Sequence, residues 1–220
     1  MKHIATIALM LNLGVTNVYA HVSTAICCLS LLTLLSFFPQ SSAGQGSSPP
    51  TTAIVFYAEP RVADAIWPQL TETFHSELEQ EESDYPLPES VEAVRASALR
   101  PGQQFGQVIE VRLIGRCDVV QQAYRPMHGG PLGWVPRVSG EIQPFIFVNC
   151  ARLAQFLNPV TLGMSDQQRS EAMARAISRI AIHEWIHIDA QTAQHGNHGI
   201  RQAELTSREL VAGSRVAGGR

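Results

Sequence analysis

The sequence predicts an α+β fold in which a small mixed sheet packs on one long helix. Three observations predict it. The apolar runs at 53–57 and 107–115 have strand length, and the second alternates sides. The runs at 132–138 and 142–149 are separated by little more than Ser139-Gly140, a hairpin spacing that makes the pair antiparallel. The segment 166–190 repeats apolar residues at intervals of three and four, as a helix with one buried face does.

The first 43 residues are expected to be a secretory signal peptide outside the fold. Lys2 and His3 precede an apolar stretch at 4–13, and a stronger one follows at 25–38. Both fall short of the about 18–20 residues that span a bilayer. Ser41 and Ala43 supply the small residues that a cut after Ala43 needs. The mature chain then has no stable membrane span and is secreted or periplasmic. A flexible leader at 44–52 precedes a single domain at 53–220.

Composition excludes some functions. The chain has 220 residues, is 45% hydrophobic and carries a net charge of −3. That is enough apolar material for one core, and it argues against a nucleic-acid partner, which wants a basic surface. Two of the four Cys lie in the signal segment. Cys117 and Cys150 remain, each ending an apolar strand-like run. In an oxidising compartment they are expected to form a disulfide between neighbouring strands. The leader contains no Cys, so a Cys-based latency switch is not expected there.

The elements follow in order. After the first strand, Ile66, Trp67, Leu70 and Phe74 give a helix over 63–79. It runs into acid at Glu77, Glu79, Glu81, Glu82 and Asp84, read as a solvated face or loop. Pro86 and Pro88 break the chain before a short helix at 89–98. In the strand at 107–115, Ile109, Val111 and Leu113 share one side. Residues 121–131 read as a loop, 151–157 as a short helix and 159–163 as a turn. Ser165 and Gln168 then form a capping box that starts the long helix. A last helical segment is expected at 202–212.

Four of the eight His fall late, at His183, His187, His195 and His198. His183-Glu184-Trp185-Ile186-His187 is an HExxH motif on the long helix. Four residues advance about 400° round a helix, so both imidazoles leave one side, a turn apart. They can then hold one Zn2+. Glu184 lies one step round, where it can serve as general base to a metal-bound water. The residues interrupt an apolar face, a costly place for two His and a Glu without a ligand. A catalytic zinc takes a third protein ligand and keeps one position open. His195, His198, Glu204 and Glu209 are the candidates. Tyr124, His128 and His198 are the side-chain types that could donate to an oxyanion, with Tyr124, in the loop before the late strand pair, as the candidate. Asp189 could orient a ligand imidazole.

This motif resembles the zincin metallopeptidases, and the order of strand, helix, strand, strand pair and HExxH helix is similar to their catalytic domain. The chain departs from the metzincin group. Ala193 stands where that group has its third His, Ala190 stands where it has Gly, and no Met follows Met173. A Glu ligand on a following helix, as in thermolysin-like enzymes, would be Glu204 or Glu209. The segment His195-Gly-Asn-His-Gly-Ile also resembles secreted bacterial proteins with HExxH, seven residues and a His before a Gly turn. That resemblance favours His195. It implies a secreted zinc peptidase acting on a peptide or protein substrate. Two other functions share the motif: a non-catalytic domain with a structural or vestigial zinc, and a zinc amidase acting on a non-protein substrate.

Overall fold

Residues 51–58, 60–80, 87–88, 90–118 and 129–213 are described by a computed structural model. The expected signal segment and most of the leader, the acidic stretch at 81–86, and the loop holding Tyr124 and His128 lie outside the described residues.

The chain builds a mixed α/β arrangement. A five-stranded, mostly parallel sheet has the order β2-β1-β3-β7-β4. β1 (Thr52–Tyr57) sits between β2 (Val91–Arg95) and β3 (Gln107–Ile114), parallel to both. β7 (Phe145–Asn149) extends the parallel set beside β3, and β4 (Gly133–Trp134) closes the edge antiparallel to it. Alternation decides the faces. Ile54 and Phe56, Ile109, Val111 and Leu113, and Ile146 and Val148 enter one core. That core also takes Ile66, Leu70 and Phe74 from α1 (Pro60–Gln80) and Met173, Ile177 and Trp185 from α3 (Asp166–Ala190). Val108 and Ile114, on the opposite face of β3, stay exposed.

The long helix has the bounds its pattern predicts, and its capping box is present. The Gln168 amide donates to Ser165 Oγ at 3.2 Å, and Gln168 Oε1 accepts from the Ser165 amide at 2.9 Å. Cys117 and Cys150 form the expected disulfide. They follow β3 and β7, adjacent parallel strands, so the bond ties two neighbouring strand ends.

Several expected elements take another form. The helix expected at 89–98 is strand β2 followed by a 3-10 turn, Ala96–Ala98. Its residues have adequate local helix propensity, but the open edge of β1 offers a full parallel ladder from Thr52↔Val91 to Phe56↔Arg95. The two late strands are each cut in two. β5 (Arg137–Val138) and β6 (Glu141–Ile142) form a separate hairpin, leaving β4 and β7 in the main sheet. Pro136 and Pro144 sit at the cuts, where each lacks an amide for the ladder. Ser139 and Gly140 turn the hairpin with φ of 52° and 91°, the positive pair that a tight two-residue turn requires. α2 (Cys150–Thr161) runs through Pro159, where a turn is expected; only the final helical turn loses a hydrogen bond. The helix expected at 202–212 shrinks to α4 (Ser207–Val211), with a 3-10 turn at Gly199–Arg201 before it.

Glu77 is a further correction. It is not on a solvated face: it is 6% exposed and bridges two arginines of α3. Arg175 Nε donates to one carboxylate oxygen at 3.2 Å and Arg179 Nε to the other at 2.7 Å. Arg175 also donates to the Val211 carbonyl at 3.2 Å, and Arg179 donates to the Glu209 carbonyl. The α1–α3 pair thus holds the C-terminal strap. No described helix is long and apolar enough to cross a membrane.

Candidate metal centre

The last two turns of α3 carry His183 and His187, and the chain then reverses to return His195. The reversal starts at Gln191, whose φ of 48° ends the helix in the left-handed region. The Gln191 side chain reaches the β5–β6 hairpin. Its Oε1 accepts from the Ile142 amide and its Nε2 donates to the Ile142 carbonyl, both at 3.0 Å. The Gly196 amide donates to the Arg201 carbonyl at 2.8 Å. A Cβ on Gly196 would stand 3.0 Å from Arg201 Cβ, so Gly lets this loop close tightly without a shift of its neighbour. Gly199, at φ 62°, makes the second turn.

His183, His187 and His195 are brought together, with ligand atoms all within 4.8 Å of one another. His187 Nε2 lies 3.2 Å from Nε2 of His183 and 3.2 Å from Nε2 of His195. The other ring nitrogens are already used. His183 Nδ1 donates to the Ile200 carbonyl at 2.6 Å, and His187 Nδ1 donates to the Thr192 carbonyl at 2.7 Å. A carbonyl only accepts, so each Nδ1 carries the proton and each Nε2 a lone pair. Lone pairs at this distance repel unless a cation lies between them. Two nitrogens bound tetrahedrally to one ion at about 2.0–2.1 Å stand about 3.3–3.4 Å apart, which matches the spacing. Burial reinforces the neutral form: it lowers the His183 pKa to about 4, and it lowers that of His187 as well. The donor set therefore fits a metal ion.

Glu184 is 8% exposed, and burial pushes its carboxyl up to about 7. It faces a cleft of about 610 Å³ together with His183. Leu132, Phe156, Ile180, Leu205 and Leu210 give the cleft an apolar lining, and edge strand β4 forms one wall. Gly133 of β4 stands directly over the helix. A Cβ there would come within 2.3 Å of Ile180 Cγ2 and 3.2 Å of Glu184 Oε1.

The other sequence candidates lie elsewhere. His198 is exposed and precedes the 3-10 turn, outside the three-His group. Glu204 is exposed and lines the cleft, also outside the group. Glu209 is spent on a second capping box, accepting from the Thr206 amide at 2.7 Å. Asp189 does not orient His183 or His187, because backbone carbonyls hold the Nδ1 atoms of those two rings. Gln191, Gly133 and the two carbonyls were not legible beforehand. A Gln after a helix carries no sequence signal, and a carbonyl has no residue signature. No family model, curated protein or solved structure matches this chain.

Proposed function

We propose that this protein is a secreted zinc-dependent peptidase. The observation that carries the reading is the meeting of three histidine rings, close enough to share one ion, with buried Glu184 beside an apolar cleft. His183, His187 and His195 would hold the ion and leave a fourth position free, the arrangement of catalytic rather than structural zinc sites. When bound, such an ion polarises a carbonyl and acidifies a water.

The chain's own residues do the rest. The carbonyls of Ile200 and Thr192 keep the ligand rings in one tautomer and one orientation. Glu184 takes the proton from the attacking water and passes it to the leaving amine. Among the described residues, β4 is an edge strand beside the site, and an extended peptide can add to such an edge. This supports a peptide over a small amide as substrate. The disulfide supports a location outside the reducing cytosol.

The purified protein is expected to carry about one zinc per chain, as one three-ligand site implies. Glu184→Gln should keep that zinc and abolish digestion of a broad peptide library. His195→Ala should lose the zinc, whereas His198→Ala should keep it. A protein purified without chelator and found metal-free would end the zinc reading. A zinc-loaded protein that cleaves no peptide would leave the site structural.

A further inference from the structure

The cleft beside the histidines has a polarity that the proposed reaction does not use. One of its walls is the run from Gln202 to Ser207, which joins the 3-10 turn to α4. Two polar side chains of that wall are already committed. Gln202 Nε2 donates to the Gly199 carbonyl at 3.2 Å. Thr206 Oγ1 accepts from the Glu209 amide at 3.2 Å, as the cap of α4. Glu204 is not committed. It is exposed, and it makes no ion pair or side-chain hydrogen bond among the described residues. No Lys or Arg among those residues lines the cleft. Arg152 lies beside Gly130 and Arg201 beside Gly196, and neither is part of the lining.

Apolar walls with one free, exposed carboxylate define what fits. The walls take an apolar body, and the carboxylate takes a cationic head that keeps part of its water. Long cationic side chains divide in this way, with stem buried and head hydrated. An acidic ligand would meet Glu204 and Glu184 with no described base lining the cleft to answer it, and such like-charge encounters exclude wrong partners. We propose that the cleft selects a substrate group with a cationic nitrogen on an apolar stem, and that Glu204 pairs with that nitrogen. The inference rests on the peptidase reading above and names the substrate class for it. Two sources supply such a nitrogen: an Arg or Lys side chain, and the free amino terminus of a peptide.

The test uses Glu204→Gln and Glu204→Lys in the full protein. Both should fold as the parent does and keep its zinc, because Glu204 is exposed and stands outside the three-histidine group. The probes are phenethylguanidinium and its neutral near-isostere phenethylurea. A guanidinium has no lone pair to offer a metal, so its binding is not ligation of the zinc. Binding is followed by the amide NMR shifts of Gly133 and Leu205, one on each of two cleft walls. At low salt the parent should bind the guanidinium about threefold more tightly than the urea, as an exposed ion pair allows. Glu204→Gln should make the two equal, and Glu204→Lys should put the urea ahead. These readouts need no peptidase activity, so a failed peptidase reading leaves them intact. Where hydrolysis is measurable, a fall in kcat/KM in Glu204→Gln for amino-acetylated peptides containing Arg assigns the side chain. A fall confined to peptides with a free amino terminus assigns the terminus. Equal binding of the two probes by the parent, a preference unchanged in Glu204→Gln, or loss of zinc from that variant would overturn the proposal.

Discussion

Glu184 shows how one residue can be costly to the fold and necessary to a site. Burial moves its carboxyl from 4.5 to about 7. Between those values the folded chain holds a proton that the unfolded chain releases. Ionised Glu184 therefore costs the metal-free fold stability above pH 7, and the cost vanishes below about pH 4.5. Glu184→Gln should raise metal-free stability by roughly 3 kcal/mol at pH 8 and leave it unchanged at pH 4. Thermal unfolding with chelator present measures this. His183 acts in the opposite sense. Its pKa falls to about 4, so the metal-free fold loses stability as pH drops from 6.5 toward 4. Comparing the variant with the parent at each pH isolates the Glu184 part. At this scale the HExxH residues were legible because helix geometry alone puts His183 and His187 on one side.

Among the elements, the C-terminal strap depends on α1 and α3 more than on its own helix. α4 has only five residues and could not persist alone. Leu210 anchors it in the core, and the Glu77–Arg175–Arg179 cluster grips its carbonyls. The same strap supplies the Ile200 carbonyl that orients His183 and residues that wall the cleft. Removing Glu77 leaves two partly buried guanidinium charges without their carboxylate. Glu77→Ala should cost about 3 kcal/mol in a denaturant melt. It should also weaken zinc binding, read by chelator competition, because the His183 ring loses its fixed carbonyl. The long helix was readable from cap to end, because capping, periodicity and burial all agree there. β2 was misread because its local residues tolerate a helix, and only the neighbouring edge of β1 selects the strand.

For the whole molecule, the disulfide joins the ends of β3 and β7 across a sequence separation of 33. Closing a loop of that size removes about 3–4 kcal/mol of unfolded-chain entropy. Replacing Cys117 and Cys150 together by Ala should lower stability by that amount in equilibrium denaturation. Zinc content should be retained, since neither Cys belongs to the three-histidine group.

The sequence by itself determined the long capped helix, its HExxH pair, the pairing of two cysteines and the alternation of β3. The helix, its motif and the strand alternation depend on residues close in the chain, and the cysteine pairing on two Cys that each end a strand-like run. The tertiary structure decided the parallel sheet order, the division of the late strands, the buried state of Glu77 and the meeting of His195 with the helix pair. These depend on contacts between distant segments, where a free strand edge, a buried charge or a docked hairpin outweighs the local preference of the residues.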